Sequence, residues 1–189
     1  TLTTSSAASD VYKRQAQQAM LDIFTELAGE PIDIVGVDGC TLPAPRLSLV
    51  GFARALAKIA APDLLKGTMS RAAEQIMAST MQFPFLTGGS KSPNSIMTAA
   101  SSKKFFAKNG AEGVYAVILP EARAAMALKI TDGSMRAADV AIAGMLSQMA
   151  EHLNLDKDML NKFSVEDMYN SANTKVGVCQ YANIMPIQN

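Results

Sequence analysis

The chain has 189 residues, of which 49% are hydrophobic and 18% are charged, a composition typical of a globular domain rather than a disordered chain. Lysine plus arginine and aspartate plus glutamate each number 17, and no basic run stands out, so no nucleic-acid partner is expected. No apolar run reaches the roughly 18 residues of a membrane span and no signal-peptide layout is visible, which predicts a cytoplasmic domain with no membrane partner.

Residues 1–15 differ in composition from the rest of the chain, because threonine, serine and small residues dominate and no helical or strand period is visible. One interpretation is a disordered terminus. The other is that Ser5 to Gln15 is a translated cloning or sequencing adapter, in which case the natural gene continues upstream. We therefore expect a disordered or adapter-like leader over residues 1–15 and a domain over residues 16–189.

The first half of the domain is predicted to be mainly helical. Apolar residues at helical spacing predict one helix ending at Gly29, one from Ser48 to Ala60, one capped by Thr68 and a short one from Ser92 to Ala100. Between the first two helices, the branched run Ile32 to Val37 predicts a buried strand. Asp38-Gly39-Cys40 ends that strand, and Leu42 to Pro45 is predicted to be a stiff loop because each proline fixes its own backbone.

The second half changes character. Three short β-like runs, Phe105 to Lys108, Gly113 to Leu119 and Met126 to Ile130, are separated by turn signals and predict an antiparallel meander. A long helix from Ser134 to Leu153 and a last strand from Val176 to Tyr181 complete the predicted elements. The sequence as a whole predicts an α+β fold in which an antiparallel sheet is packed with helices.

Lys108-Asn109-Gly110 is the first candidate for chemistry. A lysine at the end of a strand supplies positive charge for a carboxylate or a developing oxyanion, and the glycine lets a substrate approach the backbone. The element is close to the K-T-G motif of the penicillin-recognising serine enzymes. A surface lysine before an Asn-Gly turn explains the same three residues.

Those serine enzymes also need S-x-x-K, in which the lysine takes the proton of the serine. The match in this chain is Ser101-x-x-Lys104, which abuts a strand instead of opening a helix, so we interpret it as a solvated polar run. Ser92-Pro93-Asn94 is similar to the S-x-N element, but such a triplet arises easily by chance.

Asp38-Gly39-Cys40 is the second candidate. A carboxylate and a thiolate are both metal ligands, and thiolates suit zinc. A turn with a small buried cysteine is the equally good alternative. The single histidine, His152, excludes a multi-histidine metal site within one chain.

Several blocks of the sequence occur in the order and spacing of one known family. They are Val37 to Ala60, Met81-Gln82-Phe83-Pro84 with Gly88-Gly89, Lys108 to Ala116, and Ala127 to Ala137. Together they resemble the L-asparaginase II family, the rhizobial-type serine asparaginases rather than the threonine-dependent ones. The resemblance covers about Ala16 to the C-terminus and is to the C-terminal part of such an enzyme.

The resemblance implies part of a serine β-lactamase/penicillin-binding-protein-like fold and hydrolysis of L-asparagine to L-aspartate and ammonia. It implies a serine nucleophile in an S-x-x-K element, a zinc site of two cysteines and a lysine, and a homodimer when the protein is full length. By position, Lys108 falls on the active-site lysine of the strand and Cys40 on a zinc-binding cysteine. Asp38 falls on the neighbouring acidic residue, which we expect to bind substrate.

The chain also departs from the family pattern. The S-x-x-K of the family and its Cys-Ser-Gly-Lys-His block, which carries the other cysteine and the lysine of the zinc site, do not occur here. We therefore expect an N-terminally truncated chain that is inactive alone and has an incomplete zinc site. Two alternatives stay open: a glutaminase-like serine amidohydrolase, since one methylene gives only ~1–3 kcal/mol of discrimination, and a non-catalytic binding domain that retains the scaffold.

Overall fold

The computed structural model describes residues 3–40 and 42–182, with side chains from residue 14 onward. The chain divides into two compact units, residues 1–56 and residues 57–189, and each is described by itself. Helices and short antiparallel sheets make up both units, so the α+β class predicted from the sequence is confirmed.

The first unit begins with the long helix α1 (Thr3–Ala28). It ends where the sequence predicts, because Gly29 adopts a left-handed φ of +65° and its N–H donates to the carbonyl of Thr25 at 3.0 Å. The helical backbone includes most of residues 1–15. The origin of that segment as an adapter-like leader stays a prediction.

A short hairpin comes next, formed by β1 (Val35–Val37) and the antiparallel β2 (Pro43–Pro45). The prediction of a buried strand is wrong, because all three residues of β1 are exposed and Val37 is 80% exposed. The prediction of a loop at the prolines is also wrong, since they form the partner strand. Prolines lack the N–H that a central strand needs to pair on both sides. The β1–β2 hairpin therefore has no third strand among the described residues.

Helix α2 (Leu49–Ala60) starts at the predicted cap. The hydroxyl oxygen of Ser48 accepts a hydrogen bond from the N–H of Gly51 at 2.8 Å. The carboxylate of Glu30 reinforces this end, because it accepts from the N–H of Ser48 at 2.7 Å and from its hydroxyl at 2.8 Å. These hydrogen bonds, that of the backbone first, hold the pKa of Glu30 below its usual value.

The centre of the second unit is a three-stranded antiparallel sheet in the order β3 (Phe106–Asn109), β4 (Val114–Leu119) and β5 (Ala124–Lys129). Lys108 pairs with Ala116, and Ala116 pairs with Ala127, so the predicted meander is confirmed. The connection between β3 and β4 is a one-turn 3₁₀ segment, Ala111–Gly113.

Helices surround this sheet. Their bounds are Pro62–Leu64 (3₁₀), α3 (Thr68–Gln82), α4 (Phe85–Gly88), α5 (Pro93–Ala100), α6 (Met135–Gln148) and α7 (Lys157–Asn161). Ser134 caps α6 as predicted, by accepting from the N–H of Ala137 at 3.3 Å. Thr68 is not the cap of α3, because Gly67 occupies the cap position without a side-chain bond. The predicted long helix ends at Gln148 rather than Leu153.

A two-stranded antiparallel sheet, β6 (Val165–Tyr169) and β7 (Lys175–Gln180), closes the described part of the chain. The last strand is the one that the sequence predicts, whereas α7 and β6 are absent from the prediction. The adjacent charged residues Glu166 and Asp167 interrupt the apolar pattern of β6, and only one of its five residues is even half-buried.

The core lies between the sheet and helices α5, α6 and α7. Alternate residues of β4 point into it, as expected for a strand with period two. The largest fully buried apolar side chains are those of Met97, Phe105, Tyr115, Val117, Ile142, Leu146 and Leu160.

Gly144 in α6 lets Tyr181, the residue after β7, pack closely against the helix. A Cβ at this position would lie 2.1 Å from Cγ of Tyr181 and 2.4 Å from its Cβ. In an open helix, Gly→Ala stabilises by about 1 kcal/mol, but here we expect Gly144→Ala to destabilise by about 1–3 kcal/mol because Tyr181 must move. Urea unfolding measures the difference, with Ala137→Gly on the same helix as the propensity control. A stabilised Gly144→Ala variant would contradict the close packing.

Asp139 in α6 makes stability depend on pH. Burial raises its pKa to about 6, the charge of Glu166 acts in the same direction, and the phenol of Tyr115 opposes them. The folded-state pKa exceeds the ordinary value of 3.8. The contribution of protonated Asp139 to the free energy of unfolding is therefore fully present below about pH 4 and is lost as the pH rises through about 6. We expect Asp139→Asn to be more stable than the parent chain at about pH 8 and to lose this part of the pH dependence.

The measurement is urea unfolding at several pH values. The exposed Asp158 in the first turn of α7 supplies the control variant Asp158→Asn, which removes a carboxylate outside the core. A parent chain and an Asp139→Asn variant with parallel pH profiles would refute the assignment.

Candidate functional site

Asp38-Gly39-Cys40 forms the tip of the β1–β2 hairpin. The N–H of Asp38 donates to the carbonyl of Leu42 at 2.9 Å, which closes the hairpin. The carboxylate oxygen Oδ2 of Asp38 accepts from the N–H of Cys40 at 3.3 Å. All three residues of the tip are exposed, so this site lies on a turn instead of at the end of a buried strand.

The electrostatics of the tip favour a negative charge. Hydrogen bonds from the thiol of Cys40, from its N–H and from the N–H of Gly39 hold the pKa of Asp38 below its usual value. The tip therefore presents an ionised carboxylate and a free thiol two residues apart to the solvent.

The tip does not amount to a zinc site by itself. Structural zinc takes four ligands and catalytic zinc takes three from the protein. Among residues 14–40 and 42–182, no group of three or more His, Cys, Asp or Glu side chains could hold a metal ion. Asp38 and Cys40 are two donors of suitable chemistry, and the residues described do not complete the site.

Lys108 lies in β3, an edge strand of the three-stranded sheet. Its neighbour Ala107 points into the core and is fully buried, so the side chain of Lys108 emerges on the opposite face, where it is exposed. The ammonium donates to the backbone carbonyl of Asn109 and to its side-chain Oδ1, the latter at 3.0 Å. Gly110 then turns the chain, and its N–H donates to the carbonyl of Val114 at 2.8 Å.

Asp38 and Cys40 are thus brought together within the first unit, and Lys108 belongs to the second. The local geometry that the sequence predicts for Lys108, a lysine at a strand end before a glycine turn, is confirmed. The roles expected for Lys108, Asp38 and Cys40 stay predictions.

The side chains of Ser101 and Lys104 are not placed as a nucleophile and its general base, because each hydrogen bonds to backbone carbonyls instead. The hydroxyl of Ser101 donates to the carbonyls of Thr98 at 2.8 Å and Phe105 at 3.2 Å, and Ser101 is only 5% exposed. The ammonium of Lys104 donates to the carbonyl of Asn154. The interpretation of this run as solvated is wrong for Ser101, which ends helix α5 as a buried residue.

A buried polar row on α5 is a feature that the sequence reasoning missed. Asn94, Ser95 and Thr98 are at most 1% exposed, and Asn94 and Thr98 contact the backbone of β3 at Ala107. A partial signal was present, because polar residues at positions 94, 98 and 101 recur at the spacing of one helix face. The Ser-Pro-Asn triplet includes Asn94, but the triplet alone does not indicate a place beside the strand of Lys108.

An α+β domain with an exposed lysine at the end of an edge strand is compatible with an amidohydrolase. The sequence model described as L-asparaginase II matches residues 7–181. The chain therefore belongs to the L-asparaginase II family. A search of curated proteins gave no match.

Family membership suggests an asparaginase-like amidohydrolase with a small-molecule substrate. It bears out the resemblance found in the sequence blocks. None of the helices in the described residues is both long and apolar enough to cross a membrane.

The incomplete metal site leads to a prediction about zinc. We expect the purified chain to bind Zn²⁺ more weakly than about 10 μM, because one thiolate and one carboxylate leave the coordination unfilled. Isothermal titration calorimetry measures this, with Cys40→Ser as the test variant and Cys179→Ser as the control for the other free cysteine. Nanomolar binding that disappears in Cys40→Ser alone would contradict the prediction.

Proposed function

We propose that this chain is part of an amidohydrolase that converts L-asparagine and water to L-aspartate and ammonia. The observation that carries the proposal is the family match, which spans residues 7–181 and so includes the blocks around Asp38, Cys40 and Lys108. The same resemblance supports the β-lactamase/penicillin-binding-protein-like fold and a homodimer of the full-length protein as further parts of the proposal. The cytoplasmic location stays a prediction from the composition of the sequence.

Lys108 is proposed as the catalytic cation of this chain. A lysine ammonium has three N–H donors, and two of them are directed to the oxygen atoms of Asn109. The third donor is available for an oxygen atom of the substrate, either its carboxylate or the oxyanion that develops during attack on the amide carbon. Exposure of the side chain gives a small polar substrate access to this charge.

Asp38 is proposed to bind the substrate through its α-ammonium group. Its carboxylate is ionised at neutral pH, as for an ordinary aspartate, and the turn hydrogen bonds hold its pKa lower still. Cys40 is proposed as one ligand of a zinc ion whose other ligands come from residues outside those described. No step of the reaction is assigned to that ion.

The nucleophile is the missing part. The resemblance implies a serine that attacks the side-chain amide carbon, while a lysine three residues later takes its proton. In this chain the matching pair, Ser101 and Lys104, is committed to backbone carbonyls. We therefore propose that the chain alone is inactive and that the reactive serine belongs to a longer protein.

One observation favours a second candidate function. Because the hydroxyl of Ser101 is buried and donates to backbone carbonyls, while the ammonium of Lys104 donates to the carbonyl of Asn154, a non-catalytic binding domain with the same scaffold accounts for the chain equally directly. Such a domain would bind an amino acid at Lys108 without releasing ammonia.

The first test of the proposal is ammonia release. We expect no ammonia above background from asparagine or glutamine with the purified chain, because no activated nucleophile is present among the described residues. Coupled glutamate dehydrogenase assays measure it. Clear turnover that is lost in Lys108→Ala would refute the inactivity, provided that Lys129→Ala retains it. Lys129 is a suitable control because it is also exposed, ends a strand of the same sheet and donates to the next carbonyl, that of Ile130.

The longer protein supplies the decisive experiment. The source DNA upstream of the Ala16 codon is expected to continue in frame into an S-x-x-K and a Cys-Ser-Gly-Lys-His block. The enzyme expressed from that frame should then release ammonia from asparagine, and comparison with glutamine decides the substrate. A start codon immediately upstream, with no such block, would favour the non-catalytic domain.

A further inference from the structure

Strand β3 is hydrogen-bonded to another strand on one side only, within the part of the chain that the structure describes. It pairs with β4 through Phe106 opposite Ile118 and Lys108 opposite Ala116. In an antiparallel pair the backbone groups of successive residues point alternately toward the partner and away from it. The N–H and C=O of Ala107 point away from β4, where an edge strand is normally open to solvent.

Helix α5 provides the missing partners of Ala107. The hydroxyl oxygen of Thr98 accepts from the N–H of Ala107 at 3.0 Å, and the side-chain Nδ2 of Asn94 donates to its carbonyl at 3.4 Å. Both side chains are at most 1% exposed. They are four residues apart, so one face of a single helix covers both backbone groups.

The amide of Asn94 is itself held in one orientation. The hydroxyl of Ser92 donates to Oδ1 of Asn94, which leaves Nδ2 as the group directed to Ala107. On the other side, a Cβ at Gly88 would lie 2.8 Å from both Oδ1 and Nδ2, so the glycine lies directly against the amide. A side chain at position 88 would therefore displace the amide or α4.

These contacts act on the backbone of Lys108. The carbonyl of Ala107 and the N–H of Lys108 belong to the same peptide unit, which is planar. Asn94 fixes this unit from the outer side of β3, and the pairing of Lys108 with Ala116 fixes it from the inner side. The direction in which the Lys108 side chain leaves the strand is therefore set by α5 as well as by the sheet.

We propose that Thr98 and Asn94 are positioning residues for Lys108: by hydrogen bonding to Ala107, they hold the edge strand so that the ammonium stays directed at Asn109 and at its ligand. The inference rests on the proposed function for the identity of that ligand only. The contacts to Ala107 exist whatever the substrate is.

The first experiment is amide hydrogen exchange followed by NMR on the complete chain. We expect the Ala107 amide to be protected by about 100-fold or more relative to an unstructured peptide, although it lies on a sheet edge. Thr98→Val keeps the shape of the side chain and removes the acceptor, so exchange of Ala107 should become at least about 10-fold faster. Thr98→Ser restores the acceptor and should restore protection.

The second readout separates positioning from general stability. Acylation of each lysine by a limiting N-hydroxysuccinimide ester is measured by peptide mass spectrometry across a pH series. We expect Lys108 to react about 2–3-fold faster in Thr98→Val than in the parent chain, because its amine is less firmly hydrogen-bonded to Asn109. In Thr98→Ser we expect the rate of the parent chain. Lys129 is the internal reference and should not change.

Ser147→Ala is the matched control. Its hydroxyl is also buried, in α6, and hydrogen bonds to Oδ1 of Asn161 at 2.5 Å, so the substitution costs a buried hydrogen bond away from β3. If Ser147→Ala changed Ala107 exchange and Lys108 acylation as much as Thr98→Val, the effect would be general destabilisation and the proposal would be wrong. Unchanged values in Thr98→Val would overturn it too.

Asn94→Ala gives an independent check if Thr98→Val does not fold. It removes the donor to the Ala107 carbonyl and should speed Lys108 acylation in the same direction. Neither readout uses a substrate. If the longer enzyme fails to hydrolyse asparagine while these effects are observed, the positioning stands and the proposed function fails.

Discussion

The backbone N–H and C=O of Ala107 both point to the outer side of an edge strand, and helix α5 has to supply their hydrogen-bond partners. An edge strand with unpaired polar groups in a buried position costs free energy, so the structure places α5 against it with two polar side chains directed at one residue. The tight approach at Gly88 and the buried hydroxyl of Ser101 at the end of α5 belong to the same arrangement.

The face of the sheet that carries Ala107 is stabilised by apolar packing. On this face α6 packs on β4 and β5, and Tyr115, Val117 and Ile142 are fully buried. Two oxygen atoms in this region, Oη of Tyr115 and Oδ1 of Asp139, are buried without a well-formed hydrogen bond to any of the described residues. The raised pKa of Asp139 is the physical consequence, since burial disfavours the carboxylate.

The candidate site combines local and long-range features. At the hairpin tip, Asp38 and Cys40 lie together because a turn of three residues brings a carboxylate onto a backbone N–H, and this geometry needs no tertiary contact. Lys108 is different: its place at a strand end depends on a sheet, and the sheet edge depends on a helix. The family match spans both places, and the chemistry assigned to each remains a proposal.

The elements that local signals specify were predictable. Ser48 and Ser134 start helices because their hydroxyls can accept a backbone N–H, and Gly29 ends one because it adopts a positive φ. The meander could be predicted from short β-like runs separated by turn signals. The failures have a common cause: the Ile32 to Val37 run is apolar yet exposed, and β6 contains two charged residues yet forms a strand, because pairing partners rather than composition decided both.

The sequence by itself determined the fold class, the helix boundaries with side-chain caps, the meander and the family, because each is encoded in local spacing or in ordered blocks of residues. Only the tertiary structure decided what Ser101, Asn94 and Thr98 do. In sequence Ser101 belongs to a weak nucleophile motif, Asn94 belongs to a chance triplet and Thr98 belongs to no motif. In the fold their hydroxyl and amide groups are bonded to backbone groups. A polar side chain takes its partner from whatever the fold places within about 3 Å of it, and sequence spacing along one helix cannot specify a strand that packs against it.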